Sequence, residues 1–73
     1  MRTFAITKLV QLHDKELGKL KEIEEHGYVF SYDGEDEHED LCQSLCFKGL
    51  CSEDNDGRVS INHFGKQVLA QTR

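Results

Sequence analysis

The sequence predicts a small α+β fold in a single domain, and three observations carry that prediction. Apolar residues recur at three-, four- and seven-residue steps through the first third of the chain and again over 41–47, which is helical spacing. The run Tyr28-Val29-Phe30-Ser31-Tyr32 is aromatic and β-branched, as suits a short strand. Two short apolar runs flank an Asp56-Gly57 turn, the signature of a hairpin. A chain of 73 residues has room for one core and no second. With 37% apolar residues, 32% charged and no proline, it is too apolar at its periodic positions for a disordered tail.

Taken in order, residues 3–26 read as helix, with Ile6, Leu9, Val10, Leu17, Leu20 and Ile23 on one stripe. His13-Asp14-Lys15-Glu16 interrupts that stripe, and Asp14 suits the N-cap of a second helix. One bent helix and two short ones both fit. Gly27 stands where a helix C-terminal glycine belongs. The strand-like 28–32 follows, then an Asp33-Gly34 turn. From Glu35 to Lys48 a second helix is expected, with Leu41, Cys42, Leu45, Cys46 and Phe47 mostly on one broad face and Gly49 as its stop. Leu50-Cys51-Ser52 and Arg58-Val59-Ser60-Ile61 make the hairpin arms. Asn62 is a strong N-cap for a closing helix over 63–72 with Phe64, Val68 and Leu69 inward.

No apolar run exceeds three residues, against the roughly 20 that a membrane span needs, so no membrane-spanning segment is expected. No long apolar run follows Met1-Arg2-Thr3-Phe4-Ala5-Ile6, so no secretory signal is expected either. The three cysteines, Cys42, Cys46 and Cys51, cannot close a disulfide framework. Reduced thiols and a cytoplasmic location follow as expectations.

The formal charge of −5 is concentrated. Residues 1–26 and 48–73 are close to neutral, whereas 27–47 carry Asp33, Glu35, Asp36, Glu37, Glu39 and Asp40 and neither lysine nor arginine. Carboxylates favour the positive end of a helix dipole, but five acids in the six positions 35–40 exceed what capping needs. A field focused in this way repels phosphate and attracts basic surfaces.

The second half runs helix, Lys48-Gly49-Leu50-Cys51, the Asp56-Gly57 turn, Arg58-Val59-Ser60-Ile61, then Asn62-His63-Phe64-Gly65-Lys66-Gln67-Val68-Leu69. That succession resembles the winged-helix (winged helix-turn-helix) family over about residues 35–71. There a helix ends in a Lys-Gly-Leu type phrase, a hairpin wing follows, and a Thr-x-x-Gly phrase opens the last helix. Asn62 takes the threonine's place, and Gly65 matches the glycine that lets the last helix approach the sheet. The family normally places two helices before its recognition helix, where this chain has the strand-like 28–32. The resemblance implies a winged-helix-like domain and a DNA-binding transcriptional regulator whose groove helix is 35–48. The residues on that helix argue against it: Glu35, Asp36, Glu37, Glu39 and Asp40 occupy the half that would meet phosphates, and one arginine in the wing faces three acids.

Other chemistry is weaker. Ser52 to His63 has EF-hand spacing at Asp54, Asp56, Gly57 and Ser60, but Ser52 and His63 replace the first and last acidic ligands. His38, Cys42 and Cys46 share a helix face at zinc-compatible spacing, yet cysteine there coincides with the apolar face and reads as core. No metal or other cofactor is expected. A nucleophilic thiol needs an electropositive setting, and the acidic block is the opposite, so no enzymatic activity is expected.

The function expected from the residues is therefore a non-enzymatic protein-binding module. Asp33, Glu35, Asp36, Glu37, Glu39 and Asp40, with Tyr32 beside them, would dock on the basic surface of a nucleic-acid-handling protein or complex, as an inhibitor or decoy. Small acidic proteins of phages and mobile elements, among them anti-CRISPR inhibitors and DNA mimics, are similar in size and charge style. Pairing into a homodimer is a further expectation, since a core this small gains from association.

Overall fold

The chain opens with β-structure where helical spacing is expected. In the computed structural model, which describes residues 1–32, 34 and 36–72, Arg2–Ala5 (β1) and Leu9–Leu12 (β2) form an antiparallel hairpin. Its register runs from Arg2 opposite Leu12 to Ala5 opposite Leu9. The helix expected over 3–26 is thus corrected in its first half. Ile6, Leu9 and Val10 fit a helical stripe, but Val10 and Leu12 are buried while Leu9 and Gln11 are exposed, a two-residue alternation. Thr3, Ile6, Thr7 and Val10 add a β-branched content that weakens a helix and suits a pleat.

Helix α1 spans Asp14–His26 and is capped by His13 instead of Asp14. The His13 ring nitrogen Nδ1 accepts from the Glu16 N–H (3.4 Å), and the Glu16 carboxylate accepts from the His13 N–H (3.2 Å). That reciprocal box satisfies two N–H groups that a helix start leaves orphaned. Leu17, Leu20 and Ile23 point inward, and the helix ends at Gly27 as expected.

Val29–Phe30 (β3) is the short strand. The second helix, α2, spans Asp36–Phe47. Cys51–Glu53 (β4) and Arg58–Ile61 (β5) are the hairpin arms, and α3 spans His63–Ala70. The second sheet has the order β3-β5-β4, with Val29 opposite Val59 and Cys51 opposite Ile61, all antiparallel. Phe4, Val10 and Leu12 from the first sheet join α1, Cys42 and Leu45 of α2, Leu50, Cys51, Val59, Val68 and Leu69 in one core. None of the helices among the described residues is long and apolar enough to cross a membrane.

Two details fix the second half. Asn62 caps α3 through Oδ1, which accepts from the N–H of Phe64 (2.9 Å) and of Gly65 (3.0 Å), while its Nδ2 donates to the Gly49 carbonyl (2.8 Å). Gly65 lies so close to the β4–β5 arms that a Cβ there would stand 2.4 Å from the Leu50 carbonyl oxygen and 2.4 Å from Ile61 Cγ1. The closing helix therefore needs glycine at that point. On α2 one expectation fails: Phe47 is 92% exposed. It lies about 200° round the helix from Leu45, so it cannot share the face that Cys42 and Leu45 bury.

Candidate functional site

The acidic face is built on the first half of α2. Asp36, Glu37, Glu39 and Asp40 are all exposed, while His38 among them and Leu41 after them are half-buried. Helical spacing turns His38, Cys42 and Leu45 inward and leaves the four carboxylates on the rest of the cylinder. Asp33 and Glu35, the other two acids of the expected patch, lie outside the described residues.

Little in the fold neutralises this face. Glu37 pairs with Lys15 at 3.3 Å, but both side chains are more than half exposed, and such a pair is worth less than about 1 kcal/mol. Glu39 accepts from Gln43 Nε2 at 3.1 Å. Among the described residues the Asp36 and Asp40 side chains have no hydrogen-bond or ion-pair partner. Lys48, the nearest cation in sequence, is committed elsewhere: its ammonium lies 2.7 and 2.9 Å from the two oxygens of buried Glu16. Burial alone would raise the Glu16 carboxyl, but Lys48, the Ser44 hydroxyl and the His13 N–H together hold it below its ordinary value.

His38 anchors the acidic helix. Its Nε2 lies 2.8 Å from the Phe30 carbonyl oxygen and its Nδ1 lies 2.9 Å from Lys19 Nζ. An ammonium can only donate, so Nδ1 accepts and the ring proton sits on Nε2 facing Phe30. One imidazole thus ties α2 to β3 and to α1.

Tyr32, 68% exposed, sits on the hairpin turn. A Cβ at Gly57 would come within 2.7 Å of its ring, and Gly57 has φ +85°, so glycine answers both demands. The Tyr32 ring lies 5.3 Å from Phe30, which in turn meets Tyr28 edge-on at 5.5 Å, giving a partly exposed aromatic stripe along β3.

The turn itself is internally satisfied. Asp54 Oδ1 accepts from the N–H groups of Asp56 and Arg58, both at 2.9 Å, so this carboxylate shapes the turn. The Arg58 guanidinium donates to Asp56 (2.7 Å), pairs with Asp54 (3.3 Å) and lies over Tyr28 (5.7 Å). The cation that a DNA-binding wing would aim at phosphate thus lies between two carboxylates of its own turn, in exposed pairs of the same weak kind.

Beneath α2 the thiols belong to the core. Cys42 and Cys51 are buried and Cys46 is half-buried. Cys42 Sγ lies 3.7 Å from His38 Nε2, so a cysteine and a histidine do meet. Burial raises the Cys42 and Cys46 thiols and pushes Cys51 up to about 12, which keeps all three largely protonated near neutral pH. Among the described residues no three His, Cys, Asp or Glu side chains cluster as a metal site.

The buried Glu16–Lys48–Ser44 knot is not anticipated by the sequence reading. A signal for part of it exists in the His13-x-x-Glu16 box spacing, hidden because histidine is an uncommon cap. The chain matches no protein-family model, and neither a curated protein nor a solved structure shows significant similarity to it.

Proposed function

We propose that this chain is a non-enzymatic binding domain of winged-helix-like architecture that docks through the first half of α2 onto a basic protein surface. The observation that carries this reading is the exposure of Asp36, Glu37, Glu39 and Asp40 with one weak ion pair among them. Tyr32 supports it as an exposed ring four residues before Asp36, a residue type enriched at interfaces. Asp33 and Glu35 extend the patch on sequence grounds. A basic surface of this kind typically holds nucleic acid, so the partner is a nucleic-acid-handling protein of the cytoplasm and the effect is inhibition or decoy.

The test is affinity capture at low salt from nuclease-treated lysate, followed by binding measurements with the captured protein. Reversing Asp36 and Asp40 to lysine should lower the on-rate, weaken affinity by about tenfold or more, and flatten the salt dependence. Unchanged binding by that double variant would sink the acidic-face mechanism.

A second reading, a DNA-binding regulator, is favoured by the direct succession of α2, the β4–β5 hairpin and α3. Against it stand the acids of α2 and the two carboxylates beside Arg58. Retardation of duplex DNA at low salt, lost steeply as salt rises, would favour this reading over the first.

A further inference from the structure

Met1, Leu9 and Phe47 are 79%, 73% and 92% exposed, and all three border one groove. Its volume is about 460 Å³, it is open to solvent, and it runs between β2 and the end of α2, with Gln11 and Lys48 also on its walls. Among the described residues no carboxylate lines it.

The floor of the groove is a strand edge. The Ile6 N–H donates to the Lys8 carbonyl next to the opposed pair Ala5 and Leu9. Antiparallel ladders alternate, so Phe4 with Val10 and Arg2 with Leu12 are the hydrogen-bonded pairs. The backbone groups of Leu9 and Gln11 therefore point away from β1. Lys48 Nζ reaches the Gln11 carbonyl at 2.8 Å, and a carbonyl has a second lone pair to offer. The Gln11 N–H and both groups of Leu9 have no partner among the described residues. The opposite edge is treated differently. There Gln71 occupies β1, accepting from the Ala5 N–H (3.3 Å) and donating to the Ala5 carbonyl (2.6 Å). The β1 edge is plugged at Ala5, leaving only the groups of Thr3 outward, whereas the β2 edge, with apolar side chains beside it, is open along Leu9 and Gln11, which is the template on which another strand adds.

We infer that a second copy of this chain occupies this edge, β2 pairing antiparallel with its counterpart about a two-fold axis at Val10. The edge is complementary to itself. Its outward groups, on Leu9 and Gln11, flank Val10 symmetrically, so the axis sets Leu9 opposite Gln11 of the partner subunit and the reverse, and every open group finds a mate. The same register brings Lys8 opposite Leu12 of the partner subunit, two residues from the partner's Asp14, an exposed carboxylate of opposite charge. The two Lys8 side chains stay about 13 Å apart along the strands. Two four-residue strands make a marginal sheet alone, and pairing turns them into four. A short edge and three side chains bury less than the roughly 800 Å² per partner of a standard interface, so the dimer is reversible, with a Kd on the order of 10–100 μM. This face is distinct from the acidic half of α2, and the inference stands or falls apart from the proposed function.

Sedimentation velocity on the full chain, from low micromolar to submillimolar concentration, tests it. The expected result is a monomer–dimer equilibrium whose Kd rises at least about tenfold in Leu9→Pro and in Phe47→Ser. Leu9→Pro removes an N–H that the hairpin's own ladder does not use. Phe47→Ser changes a side chain outside the core, so the test survives if the proline variant fails to fold. Monomer at every concentration, growth beyond the dimer, or a dimer indifferent to Phe47→Ser would overturn the inference. So would a dimer weakened by Phe47→Ser yet untouched by a folded Leu9→Pro.

Discussion

Replacing Lys48 with methionine strips the buried Glu16 carboxylate of its counter-charge while keeping most of the side-chain volume. Glu16 is 1% exposed and receives the Lys48 ammonium at 2.7 and 2.9 Å, together with the Ser44 hydroxyl and the His13 N–H. Breaking a fully buried pair costs about 3–5 kcal/mol, and one charge-assisted hydrogen bond is worth about 1.5–3 kcal/mol. Lys48 is 28% exposed, so water reaches its end of the pair, and Ser44 and His13 still serve the carboxylate. The expected loss is therefore about 2–3 kcal/mol, out of the roughly 4–10 kcal/mol typical of a domain this size. Urea denaturation followed by circular dichroism should show the midpoint falling by about 2 M at pH 7. Because the folded pKa of Glu16 lies below its ordinary 4.5, the stability it contributes is present above that value and is lost as pH falls through the folded pKa. The gap between wild type and variant should therefore close in acid, where a protonated Glu16 no longer needs the lysine. A gap under about 0.5 kcal/mol at pH 7, or one that persists undiminished at pH 3, would refute the reasoning.

Three further outcomes are expected. Gly65→Ala should destabilise by about 2–4 kcal/mol in the same denaturation assay, because the Leu50 carbonyl is backbone and cannot withdraw from a Cβ at 2.4 Å; the alanine helix preference of about 1 kcal/mol is too small to offset it. Asn62→Ala should cost about 1–2 kcal/mol, and Asn62→Asp less, since aspartate keeps the cap to Phe64 and Gly65 and loses the donor to Gly49. In maleimide labelling at pH 8 read by intact mass, Cys46 should react first, with Cys42 and Cys51 modified at the rate of unfolding; fast labelling of Cys51 would contradict its burial.

The second half of the fold was legible because its local signals agree. Gly49, Asp56-Gly57 and Asn62 each demand one backbone geometry, and the helix and hairpin between them have no competing pattern. The first twelve residues were not legible, because Ile6, Leu9 and Val10 satisfy a helical period as well as a strand. The tie is broken by core contacts of Phe4, Val10 and Leu12 that no local rule contains. Phe47 shows the reverse error: being apolar beside Cys46 put it on the wrong side of a cylinder whose azimuth Leu45 and Cys42 already set. Of the candidate site, the charge block and its helix were readable, since both are local. That Lys48 and Arg58 are taken up by Glu16, Asp54 and Asp56, leaving the acidic face without cations from its own helix or from the turn, depends on long-range pairing and turn geometry.

The clasp between Ala5 and Gln71 joins residues 66 apart in sequence, so the described chain is close to a closed ring. The edge of β1 at Ala5 is therefore satisfied only while the end of α3 is in place, so the Ala5 amide should exchange its hydrogen with solvent whenever that last turn frays.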